Sequence, residues 1–134
     1  KEIGGEPLHD SLLVEHRTMV DREWYDNIVR GMRQAVTGGT CRGANSALYD
    51  VCGKTGTAQN RGKDHSAFMG FAPMNDPKIA IAVYVENGGF GSSVAAPIAS
   101  LLIEKYLTGE VGRPELEEYI KSMKIAYPNY EKRK

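Results

Sequence analysis

The sequence predicts an α+β fold, a three-stranded antiparallel meander with flanking helices. Three observations carry this expectation. Apolar residues at Tyr25, Ile28, Val29, Met32, Ala35 and Val36 recur at spacings of three and four, which makes one stripe on a helix of about four turns. Three runs rich in strand-forming residues then follow one another through short turns, and short turns force consecutive strands to lie antiparallel. A second helical stretch of small and apolar residues, about Ala95 to Leu107, has the composition of a helix laid across a sheet.

Taken in order, residues 1–20 form an irregular lead-in with an apolar patch at Leu12, Leu13 and Val14. Asp21 is the expected N-cap of the first helix, and Glu23 in its first turn suits the positive end of the helix dipole. Gly38-Gly39 stops that helix, and the small polar segment Cys41–Ser46 reads as a loop. The first strand is expected from about Leu48 to Gln59. Residues 60–65 read as a hairpin turn, with Gly62 free to adopt positive φ. Ser66–Ala72 is the second strand, Pro73 to Pro77 a break, and Lys78–Glu86 the third strand. That third run is nearly continuous in small apolar and β-branched residues, and so expects cover on at least one face. Residues 87–93 make a glycine-rich loop, and Ser92 and Ser93 are expected to begin the second helix. Thr108-Gly109 ends it. A third helix, Pro114 to about Lys124, opens with proline and three glutamates near its N-terminal end. The whole reads as one partial domain over residues 1–134: a lead-in to residue 20, a helix–sheet–helix core over 21–108, and a C-terminal helix and tail over 109–134.

Composition narrows the functional classes. Hydrophobic residues make up 41% of the chain and charged residues 25%, an ordinary globular balance. Seventeen basic residues offset seventeen acidic ones, so no field favours nucleic acid or anionic lipid. No apolar run approaches the ~20 residues that cross a bilayer. No signal-peptide pattern opens the chain, and a start at Lys1 reads as a processed protein or a cut piece. Cys41 and Cys52 form no CxxC pair, and the histidines at 9, 16 and 65 are scattered; no metal or cofactor is expected. Pairing of the two cysteines is left open by their spacing. His65 reads as a polar residue at a turn end, Trp24 as core or interface, and Cys52 as buried filler.

One stretch stands apart. VCGKTGTAQN, Val51–Asn60, places Lys54, Thr55, Gly56 and Thr57 in a row on a strand. Strand side chains alternate, so Thr55, Thr57 and Gln59 share one face while Cys52, Lys54 and Gly56 share the other. Paired threonine hydroxyls suit a carboxylate or carbonyl oxygen, a lysine adds positive charge, and Gly53 and Gly56 clear space for an approaching backbone. Such a strand at a sheet edge suits an extended anionic peptide docking by strand addition.

The segments GKTGTAQ, DHSAFMGFAP, PKIAIAVYVENGG and SSVAAPIASLLIEKYL, in this order and spacing, resemble the C-terminal part of a class B penicillin-binding protein transpeptidase domain. The elongation-type members are the most similar, and the likeness covers about residues 12–108. It implies a partial penicillin-binding-protein/β-lactamase-like fold, and a serine-type D-Ala-D-Ala transpeptidase that cross-links peptidoglycan stem peptides and is trapped by β-lactams. It further implies that Lys54 and Thr57 take part in catalysis, that Thr55, Gly56 and Thr57 bind substrate, and that the Thr57 N–H is an oxyanion-hole donor. Elongation-complex membrane proteins are the implied partners, and the periplasmic face of the bacterial inner membrane the implied location. The family's Ser-x-x-Lys nucleophile and its Ser-x-Asn motif do not occur in this sequence, so the chain alone is expected to be inactive. A β-lactamase or β-lactam sensor of the same fold, or a non-catalytic interaction module, are the alternatives. In the family's sheet the outer edge of the third strand is paired. The expectation is therefore that Lys78–Glu86 pairs with a second copy, giving a homodimer, or is covered by Leu12–Val14.

Overall fold

The computed structural model describes residues 2–3, 6–7 and 19–125. A two-residue ladder pairs β1 (Glu2–Ile3) with β2 (Glu6–Pro7). Helix α1 spans Arg22–Thr37, followed by a 3₁₀ turn at Arg42–Ala44. The main sheet has three strands, β3 (Cys52–Ala58), β4 (His65–Ala72) and β5 (Ile79–Val85). Helices α2 (Ala95–Thr108) and α3 (Pro114–Ser122) complete the order. The sheet order is β3-β4-β5, antiparallel throughout. The expected meander with flanking helices is therefore the observed architecture.

The register explains the core. Thr55 lies opposite Phe68, and Phe68 opposite Val83, so these three share a face. Along β4 the residues of that face, Ser66, Phe68, Gly70 and Ala72, are buried, while Met69 on the other is exposed. α2 covers the buried face with Ala95, Ala96, Ala99 and Ile103, all fully buried. Small residues let a helix approach a sheet closely, and this composition is what the second helical stretch supplies. The run in β5 is thus covered on one face by Ile79, Ile81 and Val83 packing towards α2, while Ala80, Ala82 and Tyr84 stay open.

Several sequence expectations are corrected. The first strand begins at Cys52, not Leu48. Ser46 Oγ accepts the Leu48 N–H at 3.1 Å, a local side-chain turn that competes with strand pairing. Leu48 itself is 74% exposed. Gly62 does not use positive φ; Asn87, Gly89 and Gly109 do. Ser92 and Ser93 lie in the turn ahead of α2 and do not cap it. Buried Ser66 does so from β4: its Oγ accepts the Ala95 N–H at 3.0 Å and donates to Phe90 O at 3.1 Å. Trp24 is not core but half-exposed, and among α1 residues Val36 alone is buried. Gly109, in the left-handed conformation with φ 86°, ends α2 as expected. Cys41 and Cys52 are both buried and unbridged. Leu12–Val14 lies outside the described residues, and among the described residues no strand pairs the outer edge of β5.

Candidate functional site

The lysine–threonine–glycine segment is formed by β3, an edge strand of the sheet. In an antiparallel ladder, alternate residues turn their N–H and C=O groups towards the neighbour, and those between turn them outwards. Lys54 Nζ donates to Thr55 O at 2.7 Å, which marks Thr55 as outward-facing. Thr57, two residues on, therefore presents its N–H to the same open side. Arg33 of α1 ties down the start of the strand: Nη1 donates to Val51 O at 3.1 Å, and Nη2 pairs with Asp50 at 2.6 Å. Beyond that anchor, no strand among the described residues pairs with the outer edge.

Each candidate residue can now be placed. Lys54 stands on the open face of the sheet, and its ammonium curls over the edge to the Thr55 carbonyl. No ion pair joins it to a carboxylate among the described residues, and it brings a positive charge to the strand edge. Thr55 projects to the α2 side, half-buried, with its hydroxyl 2.8 Å from that of Thr40. Thr57 shares that side and is exposed. Beneath Lys54 and Gly56 lies a shallow depression of about 350 Å³, floored by Met69, Ala82 and Tyr84.

The glycines separate into two kinds. Gly53 makes room for its own core: a Cβ there would lie 2.4 Å from the ring of Phe68. It does not clear a path for another backbone. Gly56 has no such duty, since a Cβ there would meet only the Ala67 Cβ at 3.4 Å, an ordinary contact. The loop after β5 supplies a further glycine that sequence reasoning missed. A Cβ at Gly91 would lie 2.4 Å from Ala67 O and 2.5 Å from Gly56 O, so the chain there rests directly on the two strands behind the motif.

Other residues prove structural. His65 Nδ1 accepts the N–H of buried Asn87 at 3.0 Å, and its ring packs against Tyr84. Burial pushes the Cys52 thiol up from its ordinary value, and Asp50 adds to this while Arg33 opposes it. A thiol so held is a poor nucleophile. Sequence reasoning also missed Arg33, Thr40 and Ser66. Only Ser66 left a trace, as a polar residue in the buried phase of a strand.

Comparison with known proteins gives the arrangement a context. The family model of the penicillin binding protein transpeptidase domain matches residues 2–104. The chain is 38% identical over 103 residues to the peptidoglycan D,D-transpeptidase MrdA of Acinetobacter baumannii, covering 65% of this chain and 15% of that protein. It is 34% identical over 133 residues to the MrdA of Haemophilus influenzae, covering 85% of this chain and 20% of that protein. Among solved structures, PBP2 of Pseudomonas aeruginosa superposes with a TM-score of 0.66 at 43% identity, over 82% of this chain and 25% of that one. A complex between PBP2 and MreC from Helicobacter pylori gives 0.55 at 26% identity, over 65% and 17%. The chain thus spans no more than a quarter of these relatives. With the family model matched over most of its length, the chain belongs to the penicillin binding protein transpeptidase family and is of its PBP2 type.

Proposed function

We propose that β3 is the carboxylate-binding and oxyanion half of a serine-type D,D-transpeptidase site that acts on D-Ala-D-Ala peptidoglycan stems and is acylated by β-lactams. The observation that carries this reading is the edge itself. Beyond its anchored start no strand among the described residues pairs with it, it is charged by Lys54, and it turns the Thr57 N–H outwards. A peptide laid antiparallel along it meets backbone donors and acceptors in register. Its terminal carboxylate falls to the hydroxyls of Thr55 and Thr57. Gly56, whose lack of a side chain no contact among the described residues demands, leaves room for the peptide.

The chemistry divides between two parts. A serine activated by a lysine attacks the penultimate D-Ala carbonyl and expels the terminal D-Ala; an amine of a neighbouring stem then takes the acyl group. Thr57 N–H stabilises the negative charge that develops on the carbonyl oxygen. Lys54 holds a hydroxyl of the second motif and strengthens the local positive field. The sequence holds neither Ser-x-x-Lys nor Ser-x-Asn, so this chain alone forms no acyl-enzyme. The whole protein works at the periplasmic face of the inner membrane with elongation-complex partners, a reading supported by the MreC-bound relative.

A chimera tests this. Residues 48–108 replace the matching segment of the Pseudomonas aeruginosa PBP2, and labelling by a fluorescent penicillin is timed. The chimera should label. Thr57→Pro, which removes an outward N–H that the ladder does not use, should slow labelling by about 100- to 1000-fold. An unchanged rate in the proline variant refutes the oxyanion role, and an adduct on the 134-residue chain alone refutes the need for a second part. An adduct that persists for hours separates a transpeptidase from a β-lactamase.

A further inference from the structure

We propose that Thr40 is a positioning residue of this site: its hydroxyl donates to Thr55 Oγ1 and so commits the Thr55 proton to the bound carboxylate. The inference rests on the carboxylate reading of β3.

The two hydroxyls stand 2.8 Å apart, and either can be the donor in the free protein. A hydroxyl has one proton to give and two lone pairs to receive. A carboxylate is an acceptor only, so an anion at Thr55 claims the Thr55 proton. The bond between the threonines then survives in one polarity alone, with Thr40 donating. A hydroxyl that accepts one hydrogen bond is polarised into a better donor of its own proton, and a bond to an ionised acceptor is the stronger kind. The pair therefore favours an anion over a neutral end group.

Thr40 is held for this task from both sides. The chain doubles back after α1 at Gly39, where a Cβ would lie 2.8 Å from Ala35 Cα. Cys41 N then donates to Ala35 O at 2.9 Å, and the Cys41 side chain is fully buried. Thr40 sits between these two fixed points. Arg33, on the same helix, anchors the start of β3 through Val51 O and Asp50. The two threonines are thus carried by elements clamped to each other. On its other side Thr55 is backed by the loop at Gly91, where a Cβ would lie 3.1 Å from Thr55 Cβ. Without Thr40 the Thr55 hydroxyl loses its only partner among the described residues and is released to its other staggered positions.

The test uses the 134-residue chain with labelled threonine methyls and backbone amides. N-acetyl-D-Ala-D-Ala is titrated in, with its C-terminal amide as the neutral control. The wild type should show shifts at Thr55 and Thr57 for the acid and about tenfold weaker binding of the amide. Thr40→Val should bind the acid about tenfold more weakly, with the amide little changed and distant amide signals unmoved. Thr40→Ser, which keeps the hydroxyl, should restore the preference for the acid. A merely structural threonine would weaken both ligands alike. Equal acid binding by wild type and Thr40→Val overturns the role of Thr40 while leaving the carboxylate site standing. Absence of any shift at Thr55 in the wild type overturns the carboxylate site, and the role of Thr40 with it.

Discussion

α1 and α2 are similar in length and both follow a helical apolar period, yet they end differently. α2 has eight buried residues, four of them in the core against the sheet, and α1 buries Val36 alone. In α2 the buried positions are mostly small, so its backbone lies close to β4 and β5. In α1 the large residues Trp24 and Ile28 each remain 54% exposed, while in its C-terminal half Arg33 and Val36 reach β3 and the core. Periodicity fixes which face of a helix is apolar. What covers that face is set by shape and by the neighbours available.

The contrast gives graded tests. The largest effect is expected at Ile103, fully buried under the sheet. Ile103→Ala should cost about 3 kcal/mol in urea unfolding, through lost burial and the cavity left behind. A cost below 1 kcal/mol would mean that α2 is not seated as described. Next is Ser66→Ala, which leaves the Ala95 N–H without its acceptor at the buried start of α2. A loss of roughly 1–3 kcal/mol is expected, the penalty for an unsatisfied buried donor. A neutral outcome would assign the capping elsewhere.

A smaller effect concerns pH. The folded chain holds the Cys52 thiol above its ordinary value, chiefly by burial. Above the ordinary value of 9.0 the unfolded chain gives up that proton while the folded chain keeps it. Stability is therefore complete below that pH and falls as pH rises towards the folded value. Cys52→Ala should flatten the decline above that unfolded value. An equal slope in both proteins would place the titration at another group. The smallest effect belongs to the exposed half of α1, where Ile28→Ala should change stability by no more than about 0.5 kcal/mol.

The sheet was legible because its signals are local. Turns at residues 60–64 and 73–78 punctuate three runs of strand formers, and the observed strand ends fall within a residue or two of expectation except at Leu48. There a side-chain turn at Ser46 overrides the pattern. Lys54, Thr55, Gly56 and Thr57 could be named because alternation along a strand needs no tertiary knowledge. Thr40, Ser66 and Gly91 act through partners 15 or more residues away, which no local period encodes. The duty of Gly53 was misread for the same reason, since Phe68, the ring it accommodates, comes from the next strand.

Hydrogen exchange of the Lys54, Thr55, Gly56 and Thr57 amides of β3 tests the central geometry most directly. With an open outer edge, the Lys54 and Gly56 amides, bonded to β4, exchange slowly, while those of Thr55 and Thr57 exchange fast. Slow exchange at all four would mean that the edge is already paired, and no peptide could be added along it.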